Sequence, residues 1–369
     1  MMKKQYSHLV LFLSLCTLTA CNDSKNEDSI DPDPLPPSIT YHVEGYAELG
    51  AFDHNSTLTV FPLDKSLAHI EEQAYGGKVE TDYGLFSASG NMKFQESLYF
   101  EVQVTGNFFN GTKGRRSEHK TTLRAINHVI NHADEERSIN RYIKLPATNV
   151  NIFTQLTAAR ICTLLKKAAG YNEMSHTITD IYRNASEQAL KEVLTAFSIS
   201  DIYVSMLSIA PTRASFSQYN APASMMAAVS NILLTSVDEE LLDTFFTEWD
   251  KDFAPDGRID NEDIKESIRD GQQSLKYTNV YKQLDSFYKA YDFKSDFPEF
   301  WKFVDRNGDG ILDKQDKPDD FEITEEELTP SQQQCIQLLE QVNKYLRDFL
   351  QTECVWEANF CGAIGPIPD

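Results

Sequence analysis

Leu98-Tyr99-Phe100-Glu101-Val102-Gln103-Val104-Thr105 is the stretch on which the fold turns. Leu98, Phe100, Val102 and Val104 are apolar, and the residues between them are polar or amphipathic. Successive side chains of a strand point to opposite faces, so this octet predicts a strand buried on one side. Tyr41-His42-Val43-Glu44, Leu58-Thr59-Val60-Phe61 and Thr121-Thr122-Leu123-Arg124 also read as strands. Tyr75-Gly76-Gly77, Tyr83-Gly84 and Asn110-Gly111 punctuate them. Residues 39–146 therefore predict a small antiparallel β-sandwich.

Past Pro146 the apolar period lengthens to 3.6 residues. Ile152, Leu156, Ala159, Leu164 and Leu165 belong to a helix that is apolar over much of its circumference, which predicts a central position. Arg160, set within it, is expected to meet a buried carboxylate and to be structural. Further helices are predicted near 178–197 and 222–235. Ser236-Val237-Asp238-Glu239 matches a capping box opening a helix that carries Leu241, Leu242, Phe245, Phe246 and Trp249. Thr278 is a candidate cap for a helix with Val280, Leu284, Phe287 and Tyr291. Thr329-Pro330 opens the last, whose stripe runs from Cys335 through Leu338, Leu339, Val342, Leu346, Phe349 and Leu350. The expected class is α+β: the sandwich, then a mostly α-helical domain over 147–369 containing one or two EF-hand-like loops.

The chain has 369 residues, 34 Lys and Arg against 56 Asp and Glu, and a formal charge of -22, which argues against nucleic acid as a partner. With 41% hydrophobic and 11% aromatic residues it has the material for real cores.

Lys3 and Lys4 precede the apolar run 9–18, the length of a signal-peptide core and too short to span a bilayer. Leu18-Thr19-Ala20-Cys21 resembles the bacterial lipobox, which implies a signal peptide over 1–20 and a lipidated Cys21 as membrane anchor. Loss of Lys3 and Lys4 would take the charge from -22 to -24. Residues 21–38, acidic and rich in proline, read as a tether. Asn22 favours the outer membrane by resemblance to Gram-negative lipoproteins. The acidic stretch after Cys21 resembles the surface-export tag of some Bacteroidetes lipoproteins, which implies display at the cell surface; a periplasm-facing anchor is the alternative.

With Cys16 expected to leave with the signal and Cys21 lipidated, four of the six cysteines remain, Cys162, Cys335, Cys354 and Cys361, and these allow three pairings. Pairing Cys354 with Cys361 and Cys162 with Cys335 is the chosen one, free buried thiols the alternative.

Gly45 to Ser87, Gly106-Asn107-Phe108-Phe109-Asn110-Gly111-Thr112-Lys113-Gly114 and Asn149-Val150-Asn151-Ile152-Phe153-Thr154-Gln155-Leu156-Thr157-Ala158-Ala159-Arg160 together resemble a widespread set of bacterial surface lipoproteins. Their β-domain is similar to the carboxypeptidase-regulatory or Cna-B sandwich. The resemblance implies fold and location and carries no activity.

The sharpest motif is Asp305-Arg306-Asn307-Gly308-Asp309-Gly310-Ile311-Leu312-Asp313-Lys314-Gln315-Asp316, which resembles an EF-hand or dockerin-type Ca2+ loop. Calcium takes six to eight hard oxygen ligands, and alternating acids in a tight loop supply them. Asp305, Asn307 and Asp309 would ligate directly, Ile311 through its carbonyl, Asp313 through water, and Asp316 would close the site. Leu312 would plug the core. Position twelve holds Asp where Glu is usual, the closer likeness being dockerin. Pro318 opposes an exiting helix, so an isolated structural loop is expected.

A second acidic loop runs from Asp250 to Asp263. With two residues looped out, Asp250, Asp252, Asp256, Asp260 and Asp263, with the Arg258 carbonyl, would surround a second ion. Alternatively, Asp256-Gly257 makes a turn and Asp260 caps the following helix. His128 and His132, four apart, are a weaker metal candidate beside exposed histidines. Trp249, Trp301 and Trp356 are better read as core than as a sugar platform. No H-E-x-x-H, G-x-S-x-G or phosphate loop occurs. The expected function is a calcium-binding, lipid-anchored envelope protein, a non-enzymatic module for a glycan or surface-protein ligand. A periplasm-facing structural lipoprotein, or an enzyme with an unrecognised site, are the alternatives.

Overall fold

The alternation at 99–105 forms a strand next to one end of a curled sheet. A computed structural model describes residues 39–91, 99–129, 142–168, 177–218, 220–291 and 300–319, with 337, 338, 341, 342 and 344. The strands are β1 (Thr40–Glu48), β2 (Thr57–Leu63), β3 (Tyr75–Val79), β4 (Leu85–Asn91), β5 (Tyr99–Gly106), β6 (Phe109–Asn110), β7 (Arg115–Arg116), β8 (Thr121–His128), β9 (Tyr142–Lys144) and β10 (Val150–Asn151). The helices are α1 (Ile152–Ala168), α2 (Ile178–Ala196), α3 (Ile202–Met206), α4 (Ala221–Ser236), α5 (Leu242–Phe253), α6 (Glu262–Ser274) and α7 (Tyr277–Lys289). A β-sheet region followed by helices makes the protein α+β.

The sheet order is β10-β1-β4-β3-β2-β5-β8, with β9 also on β1 and β6-β7 as a separate ribbon. The strands thus form one hydrogen-bonded path instead of two facing sheets. β1 is flanked on both sides: β4 runs antiparallel along one, and β9 and then β10 run parallel along the other. At the ends of the path, β10 approaches β8 and β5, so the sheet curls back on itself. Gly76 and Gly77, expected as punctuation, lie inside β3, where they pair with Thr59 and Leu58 of β2. A Cβ at Gly77 would meet the Ala88 side chain at 3.0 Å, so the close approach of β3 to β4 favours glycine there.

Phe100, Val102 and Val104 are buried on one face of β5, as are Leu58 and Val60 of β2 and Leu123 and Ala125 of β8. Full burial of such a side chain contributes roughly 1.5–3 kcal/mol. The other face of β2-β5-β8 is covered too. Leu63 and Ile126 join Ala158, Ile161 and Leu165 of α1, and Tyr182, Ala185 and Ala189 of α2, in a second apolar cluster. The start of α1 (Ile152, Phe153, Leu156) belongs to the main cluster instead. That double membership explains why its sequence is apolar nearly all round.

Among the described residues, the main core takes members from both sides of 146/147, with no break in packing there. Asn149 and Asn151 are the stitches. Asn149 Oδ1 accepts from Tyr46 N at 2.9 Å and its Nδ2 donates to Ala214 O at 3.1 Å. Asn151 Nδ2 donates to Pro211 O and Ala214 O, while its Oδ1 accepts from Thr154 N, the bond of a helix N-cap.

β8 lies at an end of the sheet path, and its free edge is satisfied by side chains. Asp243 of α5 accepts from Thr122 N at 3.0 Å, Gln155 of α1 accepts from Arg124 N at 3.0 Å, and Tyr182 of α2 donates to Ile126 O at 2.6 Å. Helices thus occupy the groups that would otherwise template another strand.

Two expected caps are absent. Ser236 ends α4 and its hydroxyl donates back to Ile232 O, while Glu239 accepts from Asn110 Nδ2 and Glu118 N, both at 2.8 Å, and pairs with Lys113. The ribbon β6-β7 has recruited the carboxylate that a capping box would have used. Helix α7 begins at Tyr277 with Lys276 as its cap position and no side-chain cap bond, so Thr278 lies inside it. Among the described residues, no helix is long and apolar enough to cross a membrane. Cys21, the tether and the expected signal peptide lie outside the described residues.

Candidate metal-binding loops

The aromatic residues Phe300, Trp301 and Phe303 form a 3-10 turn whose burial anchors the loop that follows. From Asp305 the chain folds around its own carboxylates. Asp305 Oδ1 accepts from Gly308 N at 2.9 Å and Oδ2 from Gly310 N at 3.0 Å. From the other end, Asp316 Oδ1 accepts from Arg306 N and Asn307 N, and Oδ2 from Asp313 N at 2.9 Å. Asn307 and Asp309 accept from the amides two residues on, and Asp313 accepts from Gln315 N. Gly308 and Gly310 sit at φ +74° and +79°, the left-handed region where a Cβ is strained. Leu312 is half-buried against the main core.

Asp305 is 3% exposed and Asp316 1%. Burial pushes the Asp316 carboxyl above its ordinary range; three backbone amides oppose this, and the charge of Asp305 adds to it. Among the described residues, no cationic side chain pairs with either acid: Arg306 turns outward to Asp319 at 3.1 Å. A carboxylate offers about four lone-pair sites, so the amides leave capacity for a further partner. A 3-10 turn, Phe300–Phe303, leads into the loop and another, Lys314–Asp316, forms its last residues. Nor, among the described residues, are three or more His, Cys, Asp or Glu side chains gathered as a metal-holding group.

The second acidic loop does not converge as expected. Asp250 lies in α5 and is taken by Arg124, with Nη2 to Oδ2 at 2.5 Å; burial raises its carboxyl to about 6 against the pull of that guanidinium. Asp252 accepts from Asp260 N and Asn261 N, closing the loop internally. Asp256, Asp260 and Asp263 expose their side chains, and Arg258 N donates to Asp256 Oδ1 in a turn. The cap of α6 is Asn261, which accepts from Asp263 N, and not Asp260. The carbonyls of 254, 255 and 256 face Arg160, which also grips Glu192 with bonds of 2.7 and 2.9 Å. Arg160 therefore does meet a carboxylate.

Asp250 and Arg124 belong to a larger network that the sequence did not reveal. Arg124 Nη1 lies 3.6 Å from Glu101 Oε2, and His69 Nε2 lies 3.1 Å from Glu101 Oε1, which also accepts from Gln103. Burial pushes Glu101 up, but the bond to His69 and the Arg124 charge outweigh it and leave the carboxyl below its usual range. The visible signal was a lone Glu on the polar face of β5, common enough on exposed strands to pass unnoticed. Glu48 was missed similarly: it ends β1, is buried, and among the described residues is met by neutral donors, Ser215 Oγ and Phe216 N, both at 3.1 Å.

His128 contacts Thr179 and Asn127 and stacks on Tyr182, and burial lowers its imidazole to about 4. It is a satisfied buried histidine; His132 lies outside the described residues. Cys162 is a free thiol that burial raises to about 11, while Cys335, Cys354 and Cys361 lie outside the described residues. Trp249 is core, its Nε1 donating to Leu156 O at 2.9 Å, and Trp301 is buried; Trp356 lies outside. Of the stripe expected after Thr329-Pro330, Leu338 is exposed and Val342 buried; its other members lie outside.

No protein family matches the chain, and no curated protein does. A 9R-lipoxygenase from Cyanothece PCC8801 is similar at 13% identity over 54% of this chain and 28% of the lipoxygenase, with a TM-score of 0.18. At that level the likeness bears on neither fold nor activity.

Proposed function

We propose that the protein is a calcium-stabilised, lipid-anchored bacterial envelope protein whose folded part is a non-enzymatic binding module at the cell surface. The observation that carries the calcium half is the pair of buried carboxylates, Asp305 and Asp316, facing one loop without a cationic partner among the described residues. Two negative charges in one desolvated loop repel, and a divalent ion among hard oxygens relieves both costs. Asn307, Asp309, the Ile311 carbonyl and Asp313 supply the remaining positions, with the left-handed turns at Gly308 and Gly310 letting the chain wrap tightly. Extracellular calcium modules bind at roughly 10⁻⁴–10⁻³ M, so the ion stabilises and does not signal.

The anchor half rests on the lipobox at Cys21 and the acidic tether after it. Adhesion to a glycan or surface protein is the role that suits such an anchor and an acidic body without a catalytic signature.

Thermal unfolding of the protein from residue 21 onward, in millimolar calcium and in chelator, tests the first half. Calcium should raise the midpoint, and Asp305→Ala should remove most of that rise; a melting curve indifferent to calcium defeats the assignment. For the second half, Cys21→Ser should release or mislocalise the protein, and protease added to intact cells should degrade the wild type. Protection would move the protein to the periplasmic side.

A further inference from the structure

The loop between α5 and α6 has the composition of a cation site, yet its acids face water. What faces inward is backbone. Arg160, buried in the middle of α1, directs its guanidinium at this loop, and all five of its N–H groups are used. Nε donates to Glu192 Oε2 at 2.7 Å and Nη2 to Glu192 Oε1 at 2.9 Å. Nη1 donates to Ala254 O at 3.2 Å and Pro255 O at 2.9 Å, and Nη2 to Asp256 O at 3.0 Å. Five donors in a rigid plane against five acceptors is a match that a compact ammonium cannot reproduce.

The surroundings are fitted to this group. Gln188 Nε2 donates to Glu192 Oε1 at 2.9 Å, holding the carboxylate that receives the fork. Lys167 Nζ adds a bond to Pro255 O at 3.2 Å from the end of α1. Gly257, at φ +80°, rests against the same carboxylate, where a Cβ would lie 2.1 Å from Glu192 Oε2. The loop therefore closes on the Arg160–Glu192 pair; a side chain at 257 would be strained at φ +80° and would have to push the Glu192 carboxylate aside.

We propose that the 254–257 turn is a built-in cation site whose permanent occupant is the Arg160 guanidinium, so that this loop takes a planar guanidinium and folds without metal. Three carbonyls and one carboxylate form the cage; the net charge inside is zero, which leaves a divalent ion no advantage. The two acidic loops then have opposite requirements, and the proposal stands whether or not the 305–316 loop holds calcium.

The test uses the protein from residue 21 onward, in chelator except in the calcium arm, with two readouts: the melting midpoint and amide hydrogen exchange of residues 254–261. Arg160→Ala should lower the midpoint by roughly 10 °C and speed exchange in this turn by about tenfold or more. Low-millimolar methylguanidinium should restore part of both in that variant and leave the wild type unchanged, while ammonium, or calcium added in excess of chelator, should leave exchange at 254–261 as fast as without it. Arg160→Lys, which keeps the charge and loses the fork, should remain loose at 254–261. Wild-type exchange at 254–261 in Arg160→Lys, or calcium slowing exchange at 254–261 in Arg160→Ala as fully as methylguanidinium does, overturns the proposal. If Arg160→Ala does not fold, Glu192→Gln should still loosen the same turn, and unaltered exchange there overturns it equally.

Discussion

Replacing Glu48 by glutamine should make the protein more stable in alkali while doing little in acid. Glu48 is 1% exposed, and among the described residues no cationic side chain pairs with it. Burial pushes its carboxyl from 4.5 to about 8, against the weaker opposing bonds from Ser215 and Phe216. A folded-state pKa above the unfolded one means that the folded protein holds the proton more tightly. Its contribution is complete below about pH 4.5 and is lost as pH climbs to about 8. At about 1.4 kcal/mol per pKa unit, the wild type loses about 5 kcal/mol across that window, an upper limit because a buried site relaxes. Glutamine has nearly the same shape, can accept from Phe216 N and donate to Ser215 Oγ, and does not titrate. Urea unfolding of both proteins at pH 5, 6.5 and 8 isolates the effect, because every other titrating group is common to the pair. The stability of Glu48→Gln minus that of wild type should grow steadily with pH. Parallel profiles would refute the reasoning and mean that water or a rearranged donor neutralises the carboxylate.

Other perturbations address the charge network and the sheet edge. Arg124→Met leaves Asp250 and Glu101 facing each other without their cation and should cost about 3 kcal/mol, a low value because the Arg124 side chain is 26% exposed. With Asp250 already raised to about 6, that loss should shrink at pH 5; calorimetry showing an equal loss at pH 5 and pH 8 would count against the network. Asp243→Ala strips the acceptor from Thr122 N and Thr121 Oγ1. It should cost about 1–3 kcal/mol and promote self-association through the bared edge of β8. Light scattering that stays monomeric as concentration rises would disprove the second effect.

What could be read in advance was whatever has a period. The alternation at 99–105 and the long apolar stripes of α1, α4 and α5 reach the fold directly, because burial of one face or all faces leaves its mark on successive residues. The closure of the sheet left none: β9 and β10 have three and two residues, too few to alternate. Nor did the union of sheet and helices, which depends on Asn149 and Asn151 reaching carbonyls some sixty residues away. Local rules failed where a distant group outbid them. Glu239 serves the β6-β7 ribbon in place of a capping box, and Asp250 serves Arg124 in place of an ion. The 305–316 loop was legible because its partners are its own amides, a few residues apart; the Arg160 cage was half legible, since the helix predicted an acidic partner but nothing announced three carbonyls.

The placement of β1 has a mechanical consequence. Thr40 is close to the point where a lipid tether would transmit tension, and the strand that begins there is clasped by β4 on one flank and by β9 and β10 on the other. A tug along that strand is shared between two rows of bonds instead of peeling one row open, so rupture needs both to yield together. If a lipid tether precedes it, resistance to drag would then reside in β1, the first strand such a tether would load.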